Sequence, residues 1–163
     1  MAPLEQYVSA ILRGLSDVAG APRALLSLDN LDSLAKRILA RAGRPELASP
    51  RHIAVALGYR LLPRCPPGQW CGEGVSRGVI AYEWSPDHRE VGLRVGHGTA
   101  HCELEKNGER HTDADAWVLT AMLLVPRSAV HTKSPWELED AAWAPAWFVR
   151  EALPLGRSWS EAG

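Results

Sequence analysis

The pentapeptide His97-Gly98-Thr99-Ala100-His101 constrains this chain more than any other stretch. Residues four apart on an α-helix lie about 40° apart around its axis, so both imidazoles leave the same face one turn apart. Leu93 and Leu104 fall on that stripe as well, which turns the face inward and predicts a helix over residues 88–105. A buried imidazole needs a partner, because leaving it unsatisfied costs about 1–3 kcal/mol. Two on one inward stripe are most simply explained by a shared cation, and helical His-x-x-x-His is half of a zinc site. Gly98 and Thr99 point the same way. A helix kept only for packing would gain from better formers, since Gly costs about 1 kcal/mol relative to Ala. The opposing reading is a chance spacing within a metal-free helical core, and it makes the third ligand decisive.

That ligand should come from a following element, where Asp113, Asp115 and His111 are the candidates. Residues 113–124 read as a helix with Asp115, Ala116, Leu119 and Leu123 on its core side, so Asp115 is the expected ligand. Asp113 lies on the Trp117 and Thr120 side and ranks second. His111, in the polar turn 106–112, ranks third. An aspartate can hold zinc, although it reaches less far than a glutamate.

The remaining pattern alternates helices with two short strands. Apolar residues recur at helical spacing over 4–19 (Leu4, Tyr7, Val8, Ile11, Leu12, Leu15) and over 25–42 (Leu31, Leu34, Ile38, Leu39). Ser49-Pro50 starts a short helix that closes at Gly58. Strands are predicted at 59–62 and 79–84, separated by a Pro-, Gly- and Cys-rich loop at 63–78, with Ser85-Pro86 suited to cap the next helix. Ser134-Pro135-Trp136-Glu137 forms a capping box, and Pro145 opens a last helix reaching about Leu153, with a frayed tail after Gly156. Helices, a small sheet, then helices make an α+β domain.

Composition narrows the function classes. At 163 residues, 46% hydrophobic and 23% charged, the chain is one domain with enough length for a core without staples. A net charge of −1 provides no field for nucleic acid. Residues 49–62 could pass for part of a helix-turn-helix but lack a basic second helix. No run of about 18 apolar residues exists, so no membrane helix is expected. MAPLEQYV has neither a basic start nor an apolar run, so no secretion signal is expected. Three cysteines (Cys65, Cys71 and Cys102) are an odd, low count, which predicts a reducing, cytoplasmic compartment with Cys65 and Cys71 as free thiols rather than a bridge or second metal half-site. Cys102 adjoins His101 but points about 100° away, so it reads as a small buried residue and not a nucleophile. Of seven tryptophans, Trp117, Trp136, Trp143, Trp147 and Trp159 crowd the last third. They serve to pack the terminal helices or to form a patch that docks a partner.

Three passages resemble the ImmA/IrrE family of zinc metallopeptidase domains. Ile53-Ala54-Val55-Ala56-Leu57-Gly58-Tyr59-Arg60-Leu61-Leu62 is similar to that family's helix ending in Leu-Gly and running into the first strand. The strand 79–84 followed by Arg94-Val95-Gly96-His97 through His101 takes the place of its zinc-binding helix. Asp115-Ala116-Trp117-Val118-Leu119-Thr120-Ala121-Met122-Leu123-Leu124-Val125-Pro126 looks like its acidic-Ala-x-x-Phe-Ala-x-x-Leu-Leu-x-Pro helix, which supplies the third ligand. Trp147-Phe148-Val149-Arg150 is weakly similar to the closing helix. The likeness spans roughly residues 30–130. It implies a zincin-like core, with helices on a small, mostly antiparallel sheet and a His-x-x-x-His helix. The implied layout is an N-terminal helical extension at 1–28, the zincin domain at 29–155 and a flexible tail at 156–163. It also implies Zn²⁺ held by His97, His101 and Asp115, a cytoplasmic protein of a bacterium, phage or mobile element, and a protein target such as a helix-turn-helix repressor, without direct contact to nucleic acid or membrane.

Departures from the family pattern bear on activity. The motif is His-Glu-x-x-His, and here Gly98 stands in the second position. In a zincin that glutamate takes a proton from the attacking water and returns it to the leaving amine. Losing a positioned base costs about 10²–10⁴-fold in rate. The third ligand is Asp where Glu is usual, and Leu119 replaces the aromatic. Glu103 should point away from the metal, Glu105 lies one turn further along the correct side, and Glu73 sits in the 63–78 loop, so the base is unassigned. The alternative to a peptidase is an inactive descendant that binds a regulatory protein.

Overall fold

The structure, a computed structural model, describes residues 3–14, 20–43, 47–64, 74–76, 78–108 and 110–162. Apolar residues at helical spacing build α1 (Pro3–Leu12), α2 (Leu28–Arg41) and α3 (Pro50–Ala56). The strands β1 (Arg60–Arg64), β2 (Gly74–Ser76) and β3 (Val79–Glu83) follow, then α4 (His88–Lys106) and α5 (Asp113–Leu124). The chain continues through α6 (Arg127–Thr132), α7 (Pro135–Ala141) and α8 (Ala146–Ala162). The class is α+β and helix-rich.

Local chemistry sets the boundaries. Ser27 caps α2 by accepting from the Asn30 amide, so the helix starts at Leu28 and not at the expected residue 25. Asp87, one residue beyond the expected Ser85-Pro86, caps α4 through the Arg89 amide. The predicted box at Ser134 and Glu137 forms, and a second forms at Thr112 and Asp115. Two helical features were not anticipated: α6 begins directly after Pro126, and α8 runs on through Pro154 to Ala162. The predicted continuation of the first helix over residues 15–19 lies outside the described residues, as do Cys65, Cys71 and Glu73.

The sheet differs from a mostly antiparallel one. Its order is β1-β3-β2. β3 pairs in parallel with β1 (Arg60↔Val79 to Arg64↔Glu83) and antiparallel with β2 (Gly74↔Ala81 to Ser76↔Val79). β2 lies on the opposite side of β3 from β1, and β3 follows it antiparallel, which leaves β3 parallel to β1. Gly78 permits that tight turn by adopting φ +80°, open to residues without Cβ. β2 was missed because its three residues sit within a stretch of turn-like composition.

The helix α4 runs between two layers of apolar packing. Val91, Val95 and Cys102 face Ala54, Tyr59, Ile80 and Tyr82, on the sheet side. Leu93, Ala100 and Leu104 face the main core, where α5 is buried along its length from Ala114 to Leu124. Val8, Ile11 and Leu12 belong to that same core, with α1 packed on α5 and α8. Arg13 adds a two-pronged pair to Glu151 of α8 at 2.9 Å. Among the described residues no helix is long and apolar enough to cross a membrane. Several large apolar side chains stay exposed, notably Trp84, Trp136 and Val55.

Two glycines of α4 sit against neighbouring elements, with opposite consequences for substitution. A Cβ at Gly92 would lie 2.7 Å from the Trp143 carbonyl oxygen, a backbone atom that cannot yield cheaply. At Gly96 it would meet Leu124 and Thr120 side chains at 3.4–3.5 Å, an ordinary contact. Gly92→Ala should therefore destabilise the fold by about 1–3 kcal/mol. Gly96→Ala should be neutral or gain up to about 1 kcal/mol from helix propensity. Urea unfolding of both variants checks the contrast, which is lost if the two respond alike.

Candidate metal centre

Three side chains converge between α4 and the start of α5. Asp113 Oδ1 lies 2.9 Å from His97 Nε2 and 2.8 Å from His101 Nε2. One ligand atom from each of these residues lies within 4.8 Å of the others, an arrangement able to hold a metal ion. His97 is buried, whereas His101 and Asp113 are half-buried, so the group opens towards solvent on one side. The spacing of the histidines does what the sequence implied: one turn of α4 brings both rings to the same carboxylate.

The acidic partner is Asp113 and not Asp115. Asp115 is fully buried, but its oxygens accept from the backbone amides of Leu25 (2.9 and 3.1 Å), Leu26 (2.9 Å) and Thr112 (2.8 Å). It is the reciprocal half of the α5 capping box and also ties the segment before α2 to the start of α5. A carboxylate so used points away from the histidines. Burial of Asp115 was read correctly, but a buried carboxylate needs donors whether or not a metal is near, and backbone amides supply them.

Which side of α5 meets α4 follows from the packing. Residues 113, 117, 120 and 124 form one stripe at helical spacing. Gly96 packs against Thr120 and Leu124, and Trp117 stacks on the His97 ring with centroids 3.8 Å apart and planes 14° off parallel. Trp117 in turn lies against Phe148 of α8, with centroids 6.2 Å apart. The Trp117 and Thr120 side, which counted against Asp113 in the sequence, is the side that faces the histidines.

Two further residues complete the surround. The Tyr7 hydroxyl of α1 donates to Asp113 Oδ2 at 2.7 Å. His111 Nε2 lies 3.2 Å from His101 Nδ1, so His111 stands behind His101 rather than beside Asp113. Were His101 Nε2 to ligate a metal, its Nδ1 would be placed to donate to His111. Tyr7 was read from the sequence only as part of an apolar stripe, and nothing in its spacing linked it to a residue 106 positions away. Only the docking of α1 on α5 brings them together.

Burial works to raise the Asp113 pKa, but hydrogen bonds from His101 and His97, the charge of His97 and the Tyr7 hydroxyl outweigh it and hold the carboxyl well below its usual range. Burial first, then the bond to Asp113 and its charge, push the Tyr7 phenol above its ordinary range, so it remains a donor. The Cys102 thiol is pushed up to about 11, chiefly by burial, which suits a packed residue and not a nucleophile.

Of the carboxylates considered as substitutes for a base at position 98, the two among the described residues are engaged elsewhere or turned outward. Glu103 is buried, accepting from Tyr59 at 2.7 Å and Arg41 at 2.8 Å. Glu105 is exposed on α4. Gly98 is itself buried in α4.

The chain matches no protein-family model, no curated protein and no solved structure.

The donor set and spacing suit a divalent cation. Ligand atoms about 2.0–2.2 Å from a tetrahedral ion stand about 3.3 Å apart from one another. The nitrogen–oxygen separations of 2.8 and 2.9 Å need to widen only by about half an ångström, within the freedom of one aspartate side chain.

The two aspartates should separate cleanly on substitution. Asp113→Ala should abolish metal binding while leaving a folded protein, since its side chain is 33% exposed. Asp115→Ala should cost about 2–4 kcal/mol by stranding backbone donors, yet its folded fraction should still bind metal. Calorimetric titration with thermal unfolding distinguishes them, and retention of metal by Asp113→Ala removes it from the ligand set. A pH effect follows as well. With its pKa depressed in the fold, Asp113 contributes stability that is present above its unfolded value near pH 4 and is lost as pH falls below it. Asp113→Asn should flatten the acid limb of a stability–pH curve; an unchanged limb would assign acid sensitivity to other groups.

Proposed function

We propose that the chain is a zinc-binding, metallopeptidase-like domain of the ImmA/IrrE type, acting in the cytoplasm on a regulatory protein such as a helix-turn-helix repressor. The observation that carries this reading is the convergence of His97 Nε2, His101 Nε2 and Asp113 Oδ1 on one point. Two imidazoles and a carboxylate are a three-ligand set found in zinc sites that keep a position open for reaction. A zinc ion bound there would supply Lewis-acid polarisation of a carbonyl and of water. The chain's own contributions are orientation and exclusion of water: Trp117 and α8 pack behind His97, and His111 holds the proton side of His101. In this reading α4 packed on β3 corresponds to the active-site helix and sheet of a zincin-like core.

A second reading has a specific basis. Gly98 occupies the position of the family's general base, and Glu103 is held by Tyr59 and Arg41. Without a carboxylate in that role, peptide hydrolysis should be lower by about 10²–10⁴-fold. The protein would then bind its regulator through the retained scaffold and not cleave it.

Metal analysis of purified protein tests the shared core of both readings. Wild type should carry close to one equivalent of zinc and His97→Ala far less; under a tenth of an equivalent in wild type ends the zinc reading. Gly98→Glu separates enzyme from binder. Gain of cleavage of a repressor partner that wild type only binds identifies wild type as the inactive form, while cleavage by wild type itself establishes a peptidase with a different base.

A further inference from the structure

We infer that Tyr7, on the N-terminal helix, is a positioning residue that makes Asp113 a one-oxygen ligand; this rests on the reading of His97, His101 and Asp113 as a metal centre. An aspartate can bind a cation through one oxygen or both, and its two torsions leave the choice open unless something holds the far oxygen. Here the two oxygens have separate duties. Oδ1 faces both imidazoles at 2.8 and 2.9 Å, whereas Oδ2 accepts the Tyr7 hydroxyl at 2.7 Å.

The geometry of α1 makes this more than a passing contact. Tyr7 is half-buried against the main core, and its neighbour Val8 is fully buried. One turn and a half further on, Arg13 grips Glu151 with two hydrogen bonds of 2.9 Å. A tyrosine ring has only two torsions, so anchoring the helix also anchors the hydroxyl. Asp113, by contrast, begins its helix and is 33% exposed, so without Tyr7 the carboxylate could swing to solvent or offer both oxygens. Partners of this kind orient metal ligands, and their loss typically weakens binding 10- to 100-fold. Through Tyr7, α1 thereby contributes to the centre.

Tyr7→Phe keeps the ring and removes only the hydroxyl. Its Zn²⁺ affinity, measured by competition with a chelator, should fall about 10- to 100-fold with the circular dichroism spectrum unchanged. Loaded with Co²⁺, wild type should show the strong visible bands of a four-coordinate ion. Tyr7→Phe should show weaker, shifted bands as the second oxygen enters, a change that a purely packing role would not produce. Equal affinity and identical Co²⁺ spectra in the two proteins overturn the inference while leaving the centre intact. Failure of wild type itself to bind either ion overturns the centre. X-ray absorption of the zinc-loaded wild type needs no substitution and covers the case of a misfolded variant: one carboxylate oxygen with two imidazoles is expected, and a two-oxygen carboxylate rejects the role given to Tyr7.

Discussion

The contact between α4 and α5 governs the rest of the molecule. Along it Gly96 meets Thr120 and Leu124, the His97 ring lies flat on Trp117, and both histidines reach Asp113. The packing of these two helices places polar atoms from two segments within hydrogen-bonding distance. The two sides of α4 have different duties. Val91, Val95 and Cys102 attach it to the sheet, while Leu93, Ala100 and Leu104 attach it to the helical core. A helix packed on both sides holds its histidines in place against Asp113.

Two aspartates two residues apart show how burial and function can be confused. Asp115 is the more buried and the more richly bonded, yet its partners are the backbone amides of Leu25, Leu26 and Thr112. It joins the start of α5 to the segment entering α2. Asp113 is partly exposed and is the one that meets the histidines. Glu103 repeats the structural case: it is buried, and Tyr59 and Arg41 take its two oxygens. In each instance the number and kind of donors decide the role, and depth does not.

The polar cluster has an exposed edge. His101 and Asp113 are half-buried, so a ligand or partner can reach the cluster from outside. Gly98 contributes no side chain beside them.

The sequence by itself determined the elements that depend on local chemistry. Apolar spacing marked α4 and α5 nearly to the residue, Ser134 and Glu137 marked the start of α7, and the run 79–84 marked β3. It also determined that His97 and His101 share a face, because four residues make about one helical turn. Tertiary structure alone decided which face of α5 turns to them. An element buried along its whole length, as α5 is from Ala114 to Leu124, has no polar side to give its orientation away. The parallel pairing of β1 with β3 was equally hidden, since strand direction depends on where the chain crosses and not on which residues alternate. Tyr7 belongs to the same class: 106 residues separate it from Asp113, and only the packing of α1 against α5 and α8 carries its hydroxyl to that carboxylate.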